Sequence, residues 1–283
     1  MPDPRQLPYL IKLLDDDSPM IRKRIVAELR AFGPSLEDEI VRLPESPTPA
    51  QKARLQDILE EHSRTWLRKN WLAWLDIPYE NEKLEAAHAL IADFQNGRHY
   101  PAKLKDLLDL LAAQYTDHHV KQDPFSLSNF LFKAQRLRGA RTDLKNPHLS
   151  NLVYVIEEGA GLPISLASIF ILVGHRLNMA IEGCNYPGHF LARVYVGKDM
   201  YLVDGYEGGR FLTESDILAM NPALPGGPRG VLRSAVPAAA IMERVLRNLS
   251  RAYADSGDNA NGVLLQQLLE EMRKRRIVDP PIP

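Results

Sequence analysis

The segment from Leu162 to Val203 constrains the fold more than any other part of the sequence. It opens with an apolar run, Leu162 to Gly174, interrupted only by Ser165 and Ser168 among polar side chains. That run is shorter than the roughly 20 residues that span a bilayer, so it predicts a buried helix from Pro163 to Leu177. Three strand-like runs follow: Ala180 to Asn185, Phe190 to Val196 and Met200 to Val203. A helix followed by a meander of antiparallel strands predicts an α+β fold.

The N-terminal third of the chain is helical in pattern. Leu7 to Pro34 predicts a helical hairpin whose acidic turn ends at Ser18 and Pro19, with Ser18 as the N-cap and Pro19 in the first helical position. The run resembles a HEAT-type repeat, including the Arg22 that follows an apolar residue, and a generic helical hairpin is the alternative. Repeat units of this kind bury their apolar faces against stacked neighbours.

Further periodic segments and breaks divide the remaining chain. Helical patterns recur over Ala50 to Trp74, Glu80 to Ala92, Leu104 to Tyr115 and, after a loop at Asn221 to Gly230, from Pro237 to Arg276. We therefore predict three regions. These are a helical N-terminal region (1–75), an α+β core (76–235) and a helical C-terminal segment (236–283).

Composition excludes several classes of function. The formal net charge is -1, which does not predict a nucleic-acid partner or an anionic membrane surface. Cys184 is the only cysteine of the chain, so there is no intrachain disulfide and no cysteine-built zinc site. Gly205 to Gly209 lacks the lysine and helix start of a phosphate-binding loop, and we expect no metal or cofactor. The N-terminus does not have the pattern of a signal peptide, so we expect a cytoplasmic protein.

His189 and Asp204 are the first candidates for a functional pair. His189 follows Tyr186-Pro187-Gly188 at the mouth of a strand, and Asp204 ends the next strand. In an antiparallel pair the start of one strand lies beside the end of the other, so the two side chains are expected to be neighbours. An aspartate there could hold the histidine tautomer, as in a catalytic triad, while a structural hydrogen bond at a strand end is the alternative.

The same residues carry a resemblance to a known family. The elements "GLPISLASIFILVGHRLNMAIEGCNYPGHFLARVYV" and "YLVDGYEGGR" resemble the SirB-type branch of the transglutaminase-like superfamily. The resemblance extends upstream through "LSNFLF…RLRGA" and downstream to "RVLRNLSRAYADSGD", so it covers roughly residues 80 to 270. The resemblance implies a transglutaminase-like (papain-like) core, with a helix packed on an antiparallel sheet. It also implies that His189 and Asp204 correspond to two members of the family's catalytic triad.

The third member of that triad is missing. Transglutaminase-like enzymes place a cysteine at the N-terminus of the first core helix, where the helix dipole and a histidine stabilise the thiolate. With Gly161, Ala167 and Leu177 matched to the family pattern, the cysteine position falls on Pro163. Proline has no nucleophile, and its fixed φ suits the first turn of a helix.

Two other residues are candidate nucleophiles. Ser165 lies two residues further along the same helix, but that spacing rotates its side chain by about 200°, and serines near helix starts commonly bond to the backbone. Cys184 lies five residues before His189, and lone cysteines are commonly buried hydrophobes. The preferred interpretation is a non-catalytic binding or regulatory module with a protein or peptide partner. The alternative is a hydrolase or amidase that uses Ser165 or Cys184 with His189 and Asp204.

Overall fold

The computed structural model describes residues 2–118, 123–186, 189–220, 232 and 234–278. The Pro187-Gly188 turn and the loop expected at Asn221 to Gly230 lie outside the described residues. The chain forms two compact units. The first comprises residues 1–71 and 93–101, and the second comprises residues 72–92 and 102–283. The three-part division expected from the sequence stays a prediction.

Helices make up most of both units. In chain order they are α1 (Leu7–Lys12), α2 (Pro19–Ala31), α3 (Ser35–Val41), α4 (Pro49–Asn70), α5 (Glu80–Asn96), α6 (Leu104–His118), α7 (Pro124–Asn129), α8 (Leu152–Glu158), α9 (Pro163–Arg176), α10 (Glu214–Met220), α11 (Ala238–Asp255) and α12 (Asn259–Val278). The strands are β1 (Arg138–Gly139), β2 (Ala160–Gly161), β3 (Ile181–Cys184), β4 (Leu191–Val196), β5 (Asp199–Asp204) and β6 (Arg210–Thr213).

The first unit begins with the expected helical hairpin. Ser18 precedes α2 with extended backbone, in the N-cap position, but its hydroxyl forms no capping hydrogen bond. Its N–H instead donates to the carboxylate of Asp16 at 2.8 Å. Apolar side chains of α1 to α4, including Leu7, Leu29 and Leu55, bury one another in a continuous core. The HEAT-type resemblance of this hairpin stays a prediction.

The second unit contains the sheet. β3, β4, β5 and β6 are antiparallel and hydrogen-bonded in sequence order. Ala192 of β4 lies opposite Val203 of β5, so the start of β4 adjoins the end of β5. β1 and β2 form a separate parallel pair in which Gly139 lies opposite Gly161. The α+β fold expected from the sequence is confirmed.

Helix α9 is the buried centre of this unit. All of its residues from Ile164 to Gly174 are buried, and it packs against β3 and β4. Gly174 makes this close approach possible, because a Cβ there would lie 2.4 Å from Cδ1 of Ile181. The helix begins at Pro163 and ends at Arg176, within one residue of the sequence expectation.

Candidate functional site

The N-terminus of α9 adjoins the β1–β2 pair. The N–H of Arg138 donates to the carbonyl of Gly159 at 2.9 Å, and the N–H of Ala140 donates to that of Gly161 at 3.0 Å. Pro163 follows two residues after Gly161 and occupies the first turn of α9, half-buried, with no side-chain cap from Leu162. Its fixed φ fits this position, and it supplies no hydroxyl, thiol or N–H.

His189 and Asp204 flank the ends of β4 and β5. His189 is exposed, and its backbone N–H donates to the carbonyl of Tyr186 at 3.2 Å. Asp204 is 8% exposed, and its Oδ1 accepts the backbone N–H groups of Tyr206 at 3.1 Å and Glu207 at 3.2 Å. Within the described residues, no hydrogen bond joins the His189 ring to the Asp204 carboxylate. Asp204 therefore builds the turn that follows β5.

Tyr206 connects that turn to the strand beside α9. Its hydroxyl donates to the carbonyl of Ala140, and its ring lies over Gly139, where a Cβ would come within 2.4 Å of a ring carbon. Only glycine leaves room for the ring at position 139. The ring of His189 lies edge-on to Tyr206, with 6.5 Å between the ring centroids. Tyr206 therefore lies between His189 and the β1–β2 pair, in which Gly139 is opposite Gly161. The turn that follows Asp204 is held beside this pair.

Charged side chains surround Tyr206. The guanidinium of Arg141 lies 4.5 Å from the ring centroid of Tyr206 and 2.9 Å from Oε2 of Glu207. This hydrogen bond from Arg141, together with the charge of Arg141 and the nearby His189 and Arg210, holds the pKa of Glu207 below its ordinary value. We call Arg141, His189, Tyr206, Glu207 and Arg210 the rim cluster.

Ser165 is enclosed in the core of the second unit. Its side chain is fully buried, and its hydroxyl donates to the carbonyl of Leu149 at 2.8 Å. A fully buried hydroxyl that donates its proton to a backbone carbonyl is shielded from solvent. Ser165 instead ties α9 to the short helical turn Pro147–Ser150.

Cys184 faces the opposite side of the sheet from α9. Ile181 of the same strand contacts α9 at Gly174, and side chains alternate along a strand, so Cys184, three residues further on, points the other way. There it packs in an apolar cluster with Leu191 and Leu202. Burial raises the pKa of its thiol to about 11, which keeps it protonated near neutral pH.

The described candidate nucleophiles lie apart from the histidine. Neither Ser165 nor Cys184 forms a hydrogen bond with His189 in the described part of the chain. No group of three or more histidine, cysteine, aspartate or glutamate side chains among the described residues could hold a metal ion.

Sequence reasoning missed the centre of this site. Tyr206 and Glu207 follow Asp204 and Gly205 in the turn "DGYEGG", where an aromatic residue among glycines was the available signal. Arg141 and Gly139 are more than 60 residues away in sequence, so no local pattern joins them to that turn. The parallel pair β1–β2 brings them there.

A buried helix on an antiparallel sheet, with a histidine and an aspartate near facing strand ends, is the core that the sequence resemblance implies. A family model described as the transglutaminase-like superfamily matches residues 98–247, more than half of the chain. The chain belongs to the transglutaminase-like superfamily.

Curated relatives carry the name UPF0162 protein. Those of Xylella fastidiosa strains Temecula1 and 9a5c are 29% and 31% identical to this chain over 172 residues, which is 56% of this chain and 61% of each relative. That of Pseudomonas aeruginosa is 31% identical over 116 residues, 40% of this chain and 42% of the relative. The chain thus matches less than two thirds of the length of each. No solved structure matches it.

Among the described helices, none has the length and apolar character needed to cross a membrane.

Proposed function

We propose that this chain is a non-catalytic, SirB-type member of its superfamily that binds a protein or peptide partner. The observation that carries the proposal is Pro163, which stands in the first turn of α9 where the family resemblance places the nucleophilic cysteine. The binding surface lies at the N-terminal edge of α9, where Tyr206 joins the turn after β5 to Gly139. The helical N-terminal region adds a HEAT-like interaction surface.

The positions of three side chains support a binding role over a hydrolytic one. Pro163 offers no nucleophile, the Ser165 hydroxyl is committed to Leu149 in the core, and the Cys184 thiol is buried on the other face of the sheet. Asp204 bonds to its own turn and so shapes a surface. A near-neutral chain with a single cysteine suits a cytoplasmic protein without nucleic-acid or membrane partners.

Covalent labelling tests the proposal. The folded protein and its His189→Ala variant are treated with iodoacetamide and with a fluorophosphonate, and intact mass is measured. We expect slow labelling that is the same in both proteins, because neither Ser165 nor Cys184 is activated by His189. The same treatment in urea is the control, and Cys184 should then label rapidly. Labelling of the folded chain that depends on His189 would restore the hydrolase or amidase alternative.

Replacing the proline tests the proposed ancestry of the site. In a Cys184→Ala background, Pro163→Cys places one thiol in the first turn of α9. A helix N-terminus lowers a thiol pKa, so this thiol should react with iodoacetamide at least about tenfold faster at pH 7 than an ordinary exposed cysteine. The matched control is Lys198→Cys in the same background, on an exposed turn. Equal rates for the two thiols would count against the assignment of position 163.

A further inference from the structure

Helices α11 and α12 form a hairpin with an excess of positive charge away from its turn. The helices pack against each other and are joined by the turn at residues 256–258. Residues 238–278 contain seven basic and five acidic side chains, although the formal net charge of the whole chain is -1. Asp255 and Asp258 lie at the turn, where Arg251 pairs with Asp255. The other charged residues of the hairpin are Glu243, Arg244, Arg247, Glu270, Glu271, Arg273, Lys274, Arg275 and Arg276.

Three of these arginines converge on one carboxylate, that of Glu243. Nη2 of Arg247 lies 2.8 Å from Oε2 of Glu243, and Nη2 of Arg273 lies 3.2 Å from the same oxygen. Nη1 of Arg276 lies 3.2 Å from Oε1. A single negative charge therefore contacts three positive charges. We call Glu243, Arg247, Arg273 and Arg276 the Glu243 cluster, and none of its members belongs to the rim cluster.

A fourth arginine beside the cluster contacts neutral groups. Arg244 follows Glu243 in sequence, and its Nη1 donates to the carboxamide oxygen of Asn185 at 2.6 Å. Its guanidinium lies 5.7 Å from the ring centroid of Phe190. Neither contact cancels its charge, so Arg244 adds to the positive charge around the cluster.

The remaining acidic residues near this part of the hairpin do not neutralise the cluster. Asp76 lies 3.1 Å from Arg275, which is not one of the three converging arginines. Glu270 and Glu271 lie on α12, and in the part of the chain that the structure describes neither forms an ion pair with the cluster. Two positive charges of the cluster therefore have no carboxylate of their own in contact.

Burial places the carboxylate of the cluster inside and the guanidiniums outside. The side chain of Glu243 is 18% exposed, whereas those of the three arginines are 34% to 56% exposed. Each guanidinium has five N–H donors, and its hydrogen bond to Glu243 uses one nitrogen. Donors from three arginines thus remain around one point. Because Glu243 already orders these long side chains, part of the entropy cost of binding is met before a ligand arrives.

A phosphomonoester group matches these converging donors. At pH 7 it carries a charge of about −1.5 to −2 and three strong acceptor oxygens, and guanidiniums bind such oxyanions through paired N–H groups. A nucleic-acid strand fits less well, because it needs contacts spread over successive phosphates and aromatic faces for its bases. Tyr253 is the only aromatic residue of α11 and α12, and it is buried.

We propose that the Glu243 cluster binds a phosphoserine of a partner protein, with Arg247, Arg273 and Arg276 receiving the phosphate oxygens. Glu243 is a positioning residue that holds the three guanidiniums together beneath the ligand. The inference goes beyond the proposed function, because it concerns α11 and α12 and does not depend on Pro163 or His189.

Fluorescence anisotropy on the full chain at low salt tests this inference, with a fluorescein-labelled pentapeptide that carries phosphoserine between two pairs of glycines. The double variant Arg247→Gln/Arg273→Gln should bind this peptide at least about tenfold more weakly than the unmodified protein, because two charge-assisted contacts are lost. The matched control is Arg251→Gln/Lys274→Gln, which removes the same charge from exposed positions of the same hairpin. It should change the affinity less than about threefold, because it leaves the cluster intact. The same peptide with unmodified serine should not bind measurably.

Three results would overturn the inference. One is no measurable binding of the phosphopeptide, and another is an equal loss in the control double variant, which would mean that only diffuse charge attracts the peptide. The third is an oligothymidylate strand, or vesicles that contain a phosphatidylinositol phosphate, binding more tightly than the peptide through Arg247 and Arg273.

Far-UV circular dichroism and melting temperature establish that each variant is folded. If the double variant is not folded, the single variant Arg247→Gln takes its place, with an expected loss of at least about threefold. The labelling experiment with His189→Ala does not involve this surface. The non-catalytic proposal and the phosphoserine site can therefore fail separately.

Discussion

At the scale of single residues, His88 is a fully buried polar side chain of the second unit. It lies on α5 with no exposed surface, and its Nε2 is 3.2 Å from the hydroxyl of Ser168 on α9. Its Nδ1 is also buried and has no partner within the described residues. Burial lowers the pKa of His88 to about 3, because the charged ring cannot be solvated there.

This shift predicts a loss of stability at mildly acidic pH. The unfolded chain binds a proton on His88 below about pH 6.5, whereas the folded chain does not until about pH 3, so stability falls as the pH drops through that window. Between pH 7 and pH 5 the contribution is about 2 kcal/mol. In urea unfolding followed by circular dichroism, His88→Gln should lose about that much less than the unmodified chain over the same interval.

The comparison isolates His88 because His62 and His148 are present in both proteins. Burial lowers the pKa of each of them too, so both contribute to the common pH dependence. Identical pH dependence of the two proteins would show that His88 is charged in the folded state and that this account of its burial is wrong.

At the scale of elements, α9 is fixed to its neighbours at its C-terminal end. The guanidinium of Arg176 binds both carboxylate oxygens of Glu85 on α5, at 2.8 and 2.9 Å, and Oδ1 of Asp109 on α6 at 2.6 Å. Its side chain is 14% exposed, so water screens these pairs less than it screens a surface ion pair. A cation at this end of the helix also suits the helix dipole.

Removing Arg176 should therefore loosen three helices together. We expect Arg176→Gln to lower the free energy of unfolding by about 2 kcal/mol, because Glu85 is left half-buried without its cation. The control is Arg251→Gln, whose side chain is 85% exposed and whose 3.8 Å pair with Asp255 should contribute less than about 0.5 kcal/mol. Urea unfolding of both variants measures the difference, and equal effects would contradict the structural role assigned to Arg176.

At the scale of the whole molecule, charge balance governs behaviour in solution. The chain has 35 lysines and arginines, 36 aspartates and glutamates and 8 histidines, with a formal net charge of -1 at pH 7. Protonation of histidines brings the net charge through zero just below neutrality, where self-repulsion is weakest.

Solubility should consequently pass through a minimum slightly below pH 7. Precipitation by polyethylene glycol across pH 5 to 9 measures this directly. Lys145→Glu, an exposed change by two charge units, should move the minimum to a lower pH. A minimum that does not move with this substitution would mean that a local surface, and not net charge, controls association.

Much of the second unit could be predicted from local pattern. The apolar run predicted α9 to within one residue at each end, and three strand-like runs predicted β3, β4 and β5. β6 (Arg210–Thr213) was not predicted from the sequence. β1 and β2 were missed because each has two residues and is defined by its partner alone.

The sequence by itself determined the α+β class, the proline at the head of α9 and the neighbouring ends of β4 and β5. These follow from periodicity, from proline's fixed φ and from the geometry of antiparallel strands, all of which act over short stretches of chain. Only the tertiary structure decided that Asp204 bonds to its own turn, that Ser165 and Cys184 are enclosed, and that Tyr206 joins Arg141 to that turn. Those contacts depend on close packing between residues far apart in sequence, which no local pattern encodes.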